Sequence, residues 1–364
     1  MYSPWSNFYL TYYAGKLIGF FPFAGNHKYL SFCYSLVVWI SLCFTSISIH
    51  TELRNYSNNI APSQRLLKYV ILFETYVNLI SMVVNVAISA NKSKHFFKIF
   101  DSFYRFDEHV LQVPCSSNYK AQRFYLIYVS LIGTYHTTYI YNFYYNYFFI
   151  LFMWSLINLL TMITVLPYII CIRMLRNRYK LANLVFKTSV SNPTATTTTK
   201  CFYPTEIHNL FIELRNLTEK VKTYYAFHAL LIIIESVLLI ASNVTKLAFN
   251  YTNNIDTGLT YNKLALVFCI LKMIFIFFIV REAHNTIQES KKTVLIAHDI
   301  LRTTTNTGII KEFEVFVLSC WNNPIIFDVY DFFDLDYKLL QSIIASIVTY
   351  IVVLVQIQLA ISSQ

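Results

Sequence analysis

The chain has 364 residues, of which 56% are hydrophobic and 18% aromatic, while only 13% carry a charge. Soluble domains average about 25% charged residues, so this composition excludes a globular protein with a water-facing surface. With 6 glycines and 8 prolines the chain is also neither fibrous nor disordered. Long unbroken apolar runs favour spanning helices over a β-barrel, whose strands alternate over about ten residues. The sequence therefore predicts an all-α polytopic membrane protein.

Seven segments are apolar enough to span a bilayer, which takes about 20 residues. In chain order they are Leu30–Ile49, Tyr69–Ala90, Phe124–Tyr144, Tyr147–Ile172, Tyr224–Phe249, Asn262–Ala283 and Leu339–Ala360. The third and fourth are nearly adjacent in sequence, so we expect them to form a tight helical hairpin. Residues 1–29 lack a basic stretch followed by a short apolar core, so no cleaved signal peptide is predicted.

Lysine and arginine are distributed very unevenly between the two sides of the predicted bundle. The side that holds the N-terminal segment and the second, fourth and sixth loops carries 23 of the 29 basic residues, whereas the other side carries Arg54, Arg65 and Lys68. Basic loops stay in the cytoplasm, so the N-terminus is predicted inside and the C-terminus outside. The net charge of +10 follows from this asymmetry and gives no reason to expect a nucleic-acid partner.

Cysteines and glycosylation signals agree with this orientation. All seven cysteines fall in spans or on the cytoplasmic side, so no external disulfide is predicted. Asn55 and Asn250 begin Asn-Tyr-Ser and Asn-Tyr-Thr sequons in external loops and are glycosylation candidates, whereas the sequons at Asn91 and Asn216 fall on the cytoplasmic side. The sequence holds no glycine-rich phosphate loop, metal-ligand spacing or nucleophile elbow, so we predict no enzyme activity, cofactor or metal site.

The external loops are short, so a ligand would bind within the helical bundle or at its outer mouth. On the cytoplasmic side, residues 205–223 and 281–302 extend the fifth and sixth spans as helices, and Lys311–Trp321 has the spacing of a short helix. Solvated loops with chance periodicity are the alternative. We interpret the chain as one membrane domain over 1–364, with a cytoplasmic anchor part over 281–337 and a final helix over 338–361.

An acidic run precedes the last span and is interpreted as a solvated cytoplasmic turn, with a cation site as the alternative; its members are Asp328, Asp331, Asp334 and Asp336. The last span itself carries two polar residues deep in its sequence. Thr349 and Gln356 fall on one stripe with Val353 and Ala360, and the opposite side consists of Ile347, Ile351, Leu354 and Val355. Such a stripe faces either another helix or water.

The end of the chain carries a specific motif. Thr349-Tyr350, five apolar residues and Gln356 resemble the terminal signature of the insect gustatory receptor family, and the segment Asp331–Leu340 is similar to the one that leads into that helix. Seven spans and an internal N-terminus are also typical of this family, which is related to the odorant receptors. The chain departs from the signature at Ile357, where the family usually has Phe.

The resemblance implies a chemosensory receptor in the plasma membrane that works as a tetrameric, ligand-gated, non-selective cation channel. Four copies of the last helix would surround one pore, as a homo-tetramer or together with other gustatory receptors. Val353 matches the apolar gate position and Gln356 the polar constriction outside it, with Thr349 one turn further in. The implied partners are a small-molecule tastant and permeating cations. Because the sugar-sensing members tend to be longer, a bitter or other non-sugar tastant is favoured.

Polar residues in the outer half of the bundle are candidates for the ligand pocket. They are Glu74 and Asn78 on the second span, His136 and Tyr139 on the third, and Trp154 and Asn158 on the fourth. Each pair lies on one helix face, where interhelical hydrogen bonding is the alternative. Glu235 and Lys272 lie near mid-membrane on the fifth and sixth spans and are expected to form a structural salt bridge.

Two other classes of membrane protein remain as alternatives. A G-protein-coupled receptor has its N-terminus on the other side, and no Asp-Arg-Tyr motif follows the third span here. A transporter would show an internal repeat and helices broken by Gly or Pro, whereas Pro167 is the one proline within a predicted span and no repeat is seen. Cation current without a G protein would separate the three classes.

Overall fold

The computed structural model describes residues 92–108, 166–187, 204–252, 258–303 and 307–362, together with Thr51, Phe73 and most of 76–88. Most of these residues are helical. After the helical residues of 76–88, the elements are α1 (Ser93–Phe106), α2 (166–187), α3 (Pro204–Thr252), α4 (Gly258–Thr303), α5 (Thr307–Asn322), the strands β1 (Asp328–Val329) and β2 (Phe333–Asp334), and α6 (Tyr337–Ser362).

Two helices are far longer than a bilayer requires. At 1.5 Å per residue, the 49 residues of α3 and the 46 residues of α4 each extend about 70 Å, more than twice the thickness of the hydrocarbon core. The predicted extensions over 205–223 and 281–302 are thereby confirmed as helix. Among the described residues, Thr205–Ala248 is the one helix long and apolar enough to cross a membrane.

The remaining predicted spans are described to different extents. Asn262–Ala283 lies within α4, and Leu339–Ala360 lies within α6. The second and fourth spans are described only in part, and the helical residues Tyr76–Asn85 belong to the second. The first and third spans, Leu30–Ile49 and Phe124–Tyr144, lie outside the described residues.

The predicted short helix over Lys311–Trp321 is present as α5. Its apolar side packs between α2 and α3 through a cluster of aromatic rings. The Phe186 ring lies 5.5 Å from Phe313 and 6.0 Å from Phe316, and Phe211 lies 5.5 Å from Phe316. The helical spacing of apolar residues in this segment therefore reflects a packed interface, and the alternative of a solvated loop is wrong.

A second core, here called the membrane-side core, joins α1, α2, α3 and α4 next to the predicted spans. Phe96, Phe100 and Phe103 point from one side of α1 and are almost completely buried. Tyr168 on α2 stacks on Tyr225 of α3, with ring centroids 4.9 Å apart. Because large aromatic rings bury much apolar area and stack at such distances, this core holds these parts of the four helices together.

Ion pairs tie α2 to its neighbours beside this core. Arg176 on α2 contacts Glu282 of α4 at 2.8 Å. Arg178 forms a two-pronged pair with Asp107, the residue that follows α1, and its guanidinium also lies 4.6 Å from the centre of the Phe103 ring. Burial of Asp107 raises the pKa of that carboxyl, although Arg178 beside it acts in the opposite direction.

The acidic run before the last span differs from the solvated turn that the sequence predicts. It is a two-stranded antiparallel hairpin in which Asp328 pairs with Asp334. The apolar residues between the carboxylates, Val329 and Leu335, are fully buried and join the membrane-side core. The hairpin is therefore packed against the helices, and the alternation of apolar and acidic residues reflects a buried and an exposed side.

Candidate functional site

One face of α6 attaches this helix to its own subunit. Ile343 is buried, and Ile347 one turn later packs against the membrane-side core. Ile351, another turn further, is half-buried. These residues are spaced i, i+4 and i+8, so they form a single packing stripe. The sequence predicts that Ile347 and Ile351 lie opposite the polar stripe. In the structure, this is the side by which the helix is attached to its subunit.

The opposite face of α6 is exposed along its whole described length. Thr349, Val353 and Gln356, the predicted pore residues, all lie on it, and Val353 is 44% exposed. Ser342 and Ser346 continue the same face toward the start of the helix and are exposed as well. The stripe of small and polar side chains is therefore longer than the sequence motif indicates.

Hydroxyl groups on this stripe are satisfied by the helix itself. Ser342 donates to the carbonyl of Lys338 at 2.9 Å, Ser346 to that of Ser342 at 2.8 Å, and Thr349 to that of Ala345 at 2.9 Å. A hydroxyl bonded in this way still has lone pairs free to accept from water. The stripe can therefore line an aqueous path without leaving buried donors unpaired when the path is dry.

The tyrosine of the terminal motif has a different role from its neighbours. Tyr350 points toward α3, where its hydroxyl lies 3.3 Å from the hydroxyl oxygen of Thr245. Thr349 faces the exposed stripe, so the two adjacent motif residues lie about 100° apart and serve different sides of one helix. Tyr350 thus fixes the rotation of α6 about its axis, and this rotation decides which residues the stripe presents.

A polar cluster lies between the second, fifth and sixth predicted spans. Lys272 of α4 donates to Glu235 of α3 at 3.1 Å, and Ser81 donates to the other carboxylate oxygen at 2.5 Å. Both charged side chains are at most 1% exposed. The predicted structural salt bridge is confirmed. The ammonium of Lys272 also lies 5.6 Å from the centre of the Phe268 ring, which stabilises the buried cation further.

Two asparagines of the second span behave differently beside this cluster. The amide oxygen of Asn85 contacts Nδ1 of His228 at 2.8 Å. Asn78 is fully buried, yet neither its amide oxygen nor its amide NH2 group has a hydrogen-bond partner among the described residues. An unpaired buried amide costs about 1–3 kcal/mol, and such a group commonly marks a place where a ligand or water binds.

The side chains of the other predicted pocket and glycosylation residues are not described by the structure. Outside the described part of the chain lie Glu74, His136, Tyr139, Trp154 and Asn158, together with the glycosylation candidate Asn55. Asn250, the second glycosylation candidate, falls in the last turns of α3, where its side chain is not described. Of the six pocket candidates, the structure therefore places Asn78 alone.

Sequence reasoning missed Ser81, Asn85 and His228. A signal was present, because Asn78, Ser81 and Asn85 have the spacing i, i+3 and i+7 and so share one helix face. His228 and Glu235 are likewise seven residues apart on α3. A polar face on each of two spans predicts that the two faces meet, and the structure shows that they do.

The hairpin connects α5 to α6 and is fastened to α3. Asp328 pairs with Lys222 at 2.7 Å, and Asp336 accepts the backbone N–H of Leu339 at 3.1 Å where α6 begins. Burial opposes ionisation of Asp328, but the Lys222 ammonium outweighs burial and lowers the pKa of that carboxyl. Because this short connector is held at both ends, a displacement of α3 would reach the start of α6 directly.

Comparison with known proteins gives a family match and structural matches. The model of a family described as 7tm Chemosensory receptor matches residues 8–361. The insect olfactory receptor OR5 from Machilis hrabei is similar in fold, with a TM-score of 0.66 and 12% identity over 97% of this chain and 100% of that one. Its complex with eugenol gives a TM-score of 0.64 and 13% identity over 96% and 98% of the two chains. No curated protein sequence matches. The predicted all-α polytopic membrane fold is confirmed.

Proposed function

Because the chain belongs to the seven-transmembrane chemosensory receptor family, we propose that it is a gustatory receptor that acts as a ligand-gated, non-selective cation channel. It resides in the plasma membrane and responds to bitter or other non-sugar small molecules. The terminal Thr349-Tyr350 and Gln356 motif favours the gustatory branch. Its relative OR5 has been solved with eugenol, which supports a small organic molecule as the ligand class.

The observation that carries this proposal is the exposed stripe on α6. A helix surrounded by lipid would expose apolar side chains on every free side, because polar side chains in the hydrocarbon are costly. Here Thr349 and Gln356 are exposed on the side that faces away from the subunit. Four copies arranged around an axis would turn these stripes toward each other and enclose a pore. The Val353 ring closes this pore by dewetting, and the Gln356 ring offers oxygens to a partly hydrated cation.

Assembly requires contacts outside the pore, and α5 offers a suitable surface. Val315, Leu318 and Trp321 are 59%, 60% and 74% exposed on the side opposite the aromatic cluster. Contiguous exposed apolar residues on a part of the chain predicted to lie in the cytoplasm indicate a protein interface. We assign this surface of α5 to contacts between neighbouring subunits of a fourfold ring, because closed cyclic symmetry brings identical helices together.

The α5 surface provides an assembly prediction. Leu318→Glu places a charge in the subunit interface and should convert most of the tetramer to smaller species, as measured by mass photometry in mild detergent. Leu184→Glu is the matched control, since Leu184 is 58% exposed on α2. Its assembly should remain intact. A tetramer that survives Leu318→Glu unchanged would show that α5 does not form the interface.

The ligand pocket is proposed to include Asn78, whose buried amide lacks a partner among the described residues. Asn78→Leu removes this amide while keeping a similar volume. We expect about a tenfold or greater rise in the ligand concentration for half-maximal current, because a lost hydrogen bond in a desolvated site costs about 1–3 kcal/mol. Asn183→Leu makes the same change at a buried amide of α2 that is already paired with Glu289 and Thr293; it is the control and should shift the response little. Equal shifts in both variants would remove Asn78 from the pocket.

The proposed function is tested by recording current in a heterologous cell across a panel of tastants, with and without co-expressed gustatory receptors. G-protein signalling is blocked throughout. A tastant-evoked cation current that persists under this block supports the channel. A response that disappears with the block would favour a receptor that signals through a G protein, and directional substrate flux without channel current would favour a transporter.

A further inference from the structure

A groove between α1 and α3 concentrates basic side chains on one part of the described surface. From the α1 side it is lined by Lys92, His95 and Lys98, and from α3 by Lys220, Thr223 and Tyr224. Lys92, His95 and Lys98 are spaced by three positions, and Lys220 lies three and four positions before Thr223 and Tyr224, so each set lies along one helix face. The groove is thus formed by two facing stripes.

Its two ends are fixed by contacts between the helices. At the end nearer the membrane, the rings of Phe96 and Tyr224 pack with centroids 5.9 Å apart. At the cytoplasmic end, the Lys220 ammonium donates to the hydroxyl of Ser102 at 3.1 Å. The groove therefore has a defined width before any ligand arrives, which lowers the ordering cost of binding.

The positive charge of the groove is not neutralised within the described residues. Its one acidic lining residue, Glu219, pairs with Lys222 at 3.1 Å on the neighbouring turn. None of the ion pairs found in this part of the chain involves Lys92, Lys98 or Lys220. Three ammonium groups thus face one groove, and they favour a ligand with more than one negative charge.

The position of the groove along the helices selects among polyanions. The second predicted span ends at Ala90, on the side of the membrane predicted to face the cytoplasm. Lys92 follows two residues later. Tyr224 is the first residue of the fifth predicted span, so both sides of the groove lie at the level of the inner lipid headgroups. That leaflet is the anionic one, and basic pockets at this depth bind phosphorylated headgroups.

We propose that this groove binds the headgroup of a phosphoinositide in the cytoplasmic leaflet. The lysines contact its phosphates, and the Thr223 and Tyr224 hydroxyls are available to donate to phosphate oxygens. A lipid with a single net charge would leave most of the positive charge uncompensated. The site is separate from the exposed stripe of α6 and from Asn78, so it does not depend on the channel function.

The test measures lipid binding by the purified full-length receptor in mild detergent. Dioctanoyl phosphatidylinositol bisphosphate is titrated against wild type and the triple variant Lys92→Gln, Lys98→Gln, Lys220→Gln. We expect an affinity loss of about 100-fold, since each lysine at an anionic lipid surface contributes roughly a fivefold factor. The triple variant with Arg at the same positions should bind as wild type does, and it shows that the substituted surface folds.

Matched charge removal separates a site from general attraction. The variant Lys291→Gln, Lys292→Gln, Lys311→Gln removes the same charge from other exposed cytoplasmic positions and should lose less than about threefold. Equal losses in the two glutamine variants would overturn the proposal. Binding of soluble inositol trisphosphate as tight as that of the lipid would also overturn it, because the ligand would then be a free polyphosphate. Dioctanoyl phosphatidylcholine should not compete, and competition by it would likewise contradict the assignment.

Discussion

Replacing Val353 with serine is expected to open the channel without ligand. The substitution puts a hydroxyl on the exposed face of α6, at the position assigned to the apolar gate, and four hydroxyls in one ring would hydrate the constriction. Resting cation leak should rise by at least about tenfold, which needs a barrier lowered by only about 1.4 kcal/mol. Whole-cell current in the absence of tastant, normalised to surface expression, measures this leak.

Controls on the same helix distinguish a gate from a packing defect. Ile347→Ser places the same hydroxyl on the attached side, where Ile347 packs against the core, and should lower surface expression without leak. Leu354→Ser is predicted from sequence to behave in the same way. Gln356→Ala should change ion selectivity or conductance while the channel stays closed at rest. If Val353→Ser and Ile347→Ser gave the same phenotype, the stripe would be a surface that packs against another helix, and it would not line a pore.

Removing Lys272 is expected to cause the largest loss of stability. Lys272→Met leaves Glu235 as a buried carboxylate without its cation, and breaking a buried pair in this way costs about 3–5 kcal/mol. The purified receptor should therefore lose its thermal stability steeply, as followed by fluorescence-detected size-exclusion chromatography after heating. Lys263→Met is the matched control, because Lys263 is exposed on the same helix and should tolerate the change.

The double variant Glu235→Gln, Lys272→Met decides how the pair acts. It removes both charges and leaves a neutral amide beside Ser81, so stability should return close to wild type. If the double variant is as unstable as Lys272→Met alone, the loss comes from the packing of the lysine stem. In that case an unpaired charge would not be the cause.

The helices were predictable because their signals are local. The extension of the fifth and sixth spans follows from continuous helical residues on both sides of the membrane boundary. Phe313 and Phe316 have the spacing of a buried helix face, and the structure packs both. The polar stripe with Thr349, Val353 and Gln356 follows from a period of 3.6 residues, and all three are exposed on one side of α6.

Features that depend on distant partners were not predictable in the same way. The hairpin has two strands of two residues each, too short for a strand pattern, and the backbone at Tyr330 and Asp331 adopts a positive φ that usually indicates glycine. Its position depends on α3, where Lys222 lies 106 residues before its partner Asp328. For Ser81 and Glu235 the spacing indicates a polar face on each helix, but which side chains pair depends on how the two helices pack.

The central claim is that this one chain forms its own ligand-gated pore, and reconstitution tests it most directly. Purified receptor in a planar lipid bilayer contains no G protein and no other receptor that could carry current. We expect discrete cation-selective openings whose frequency rises when an active tastant is added, and Gln356→Ala should alter their unitary conductance. Bilayers with verified, correctly inserted protein that stay silent to every tastant active in cells would contradict the account.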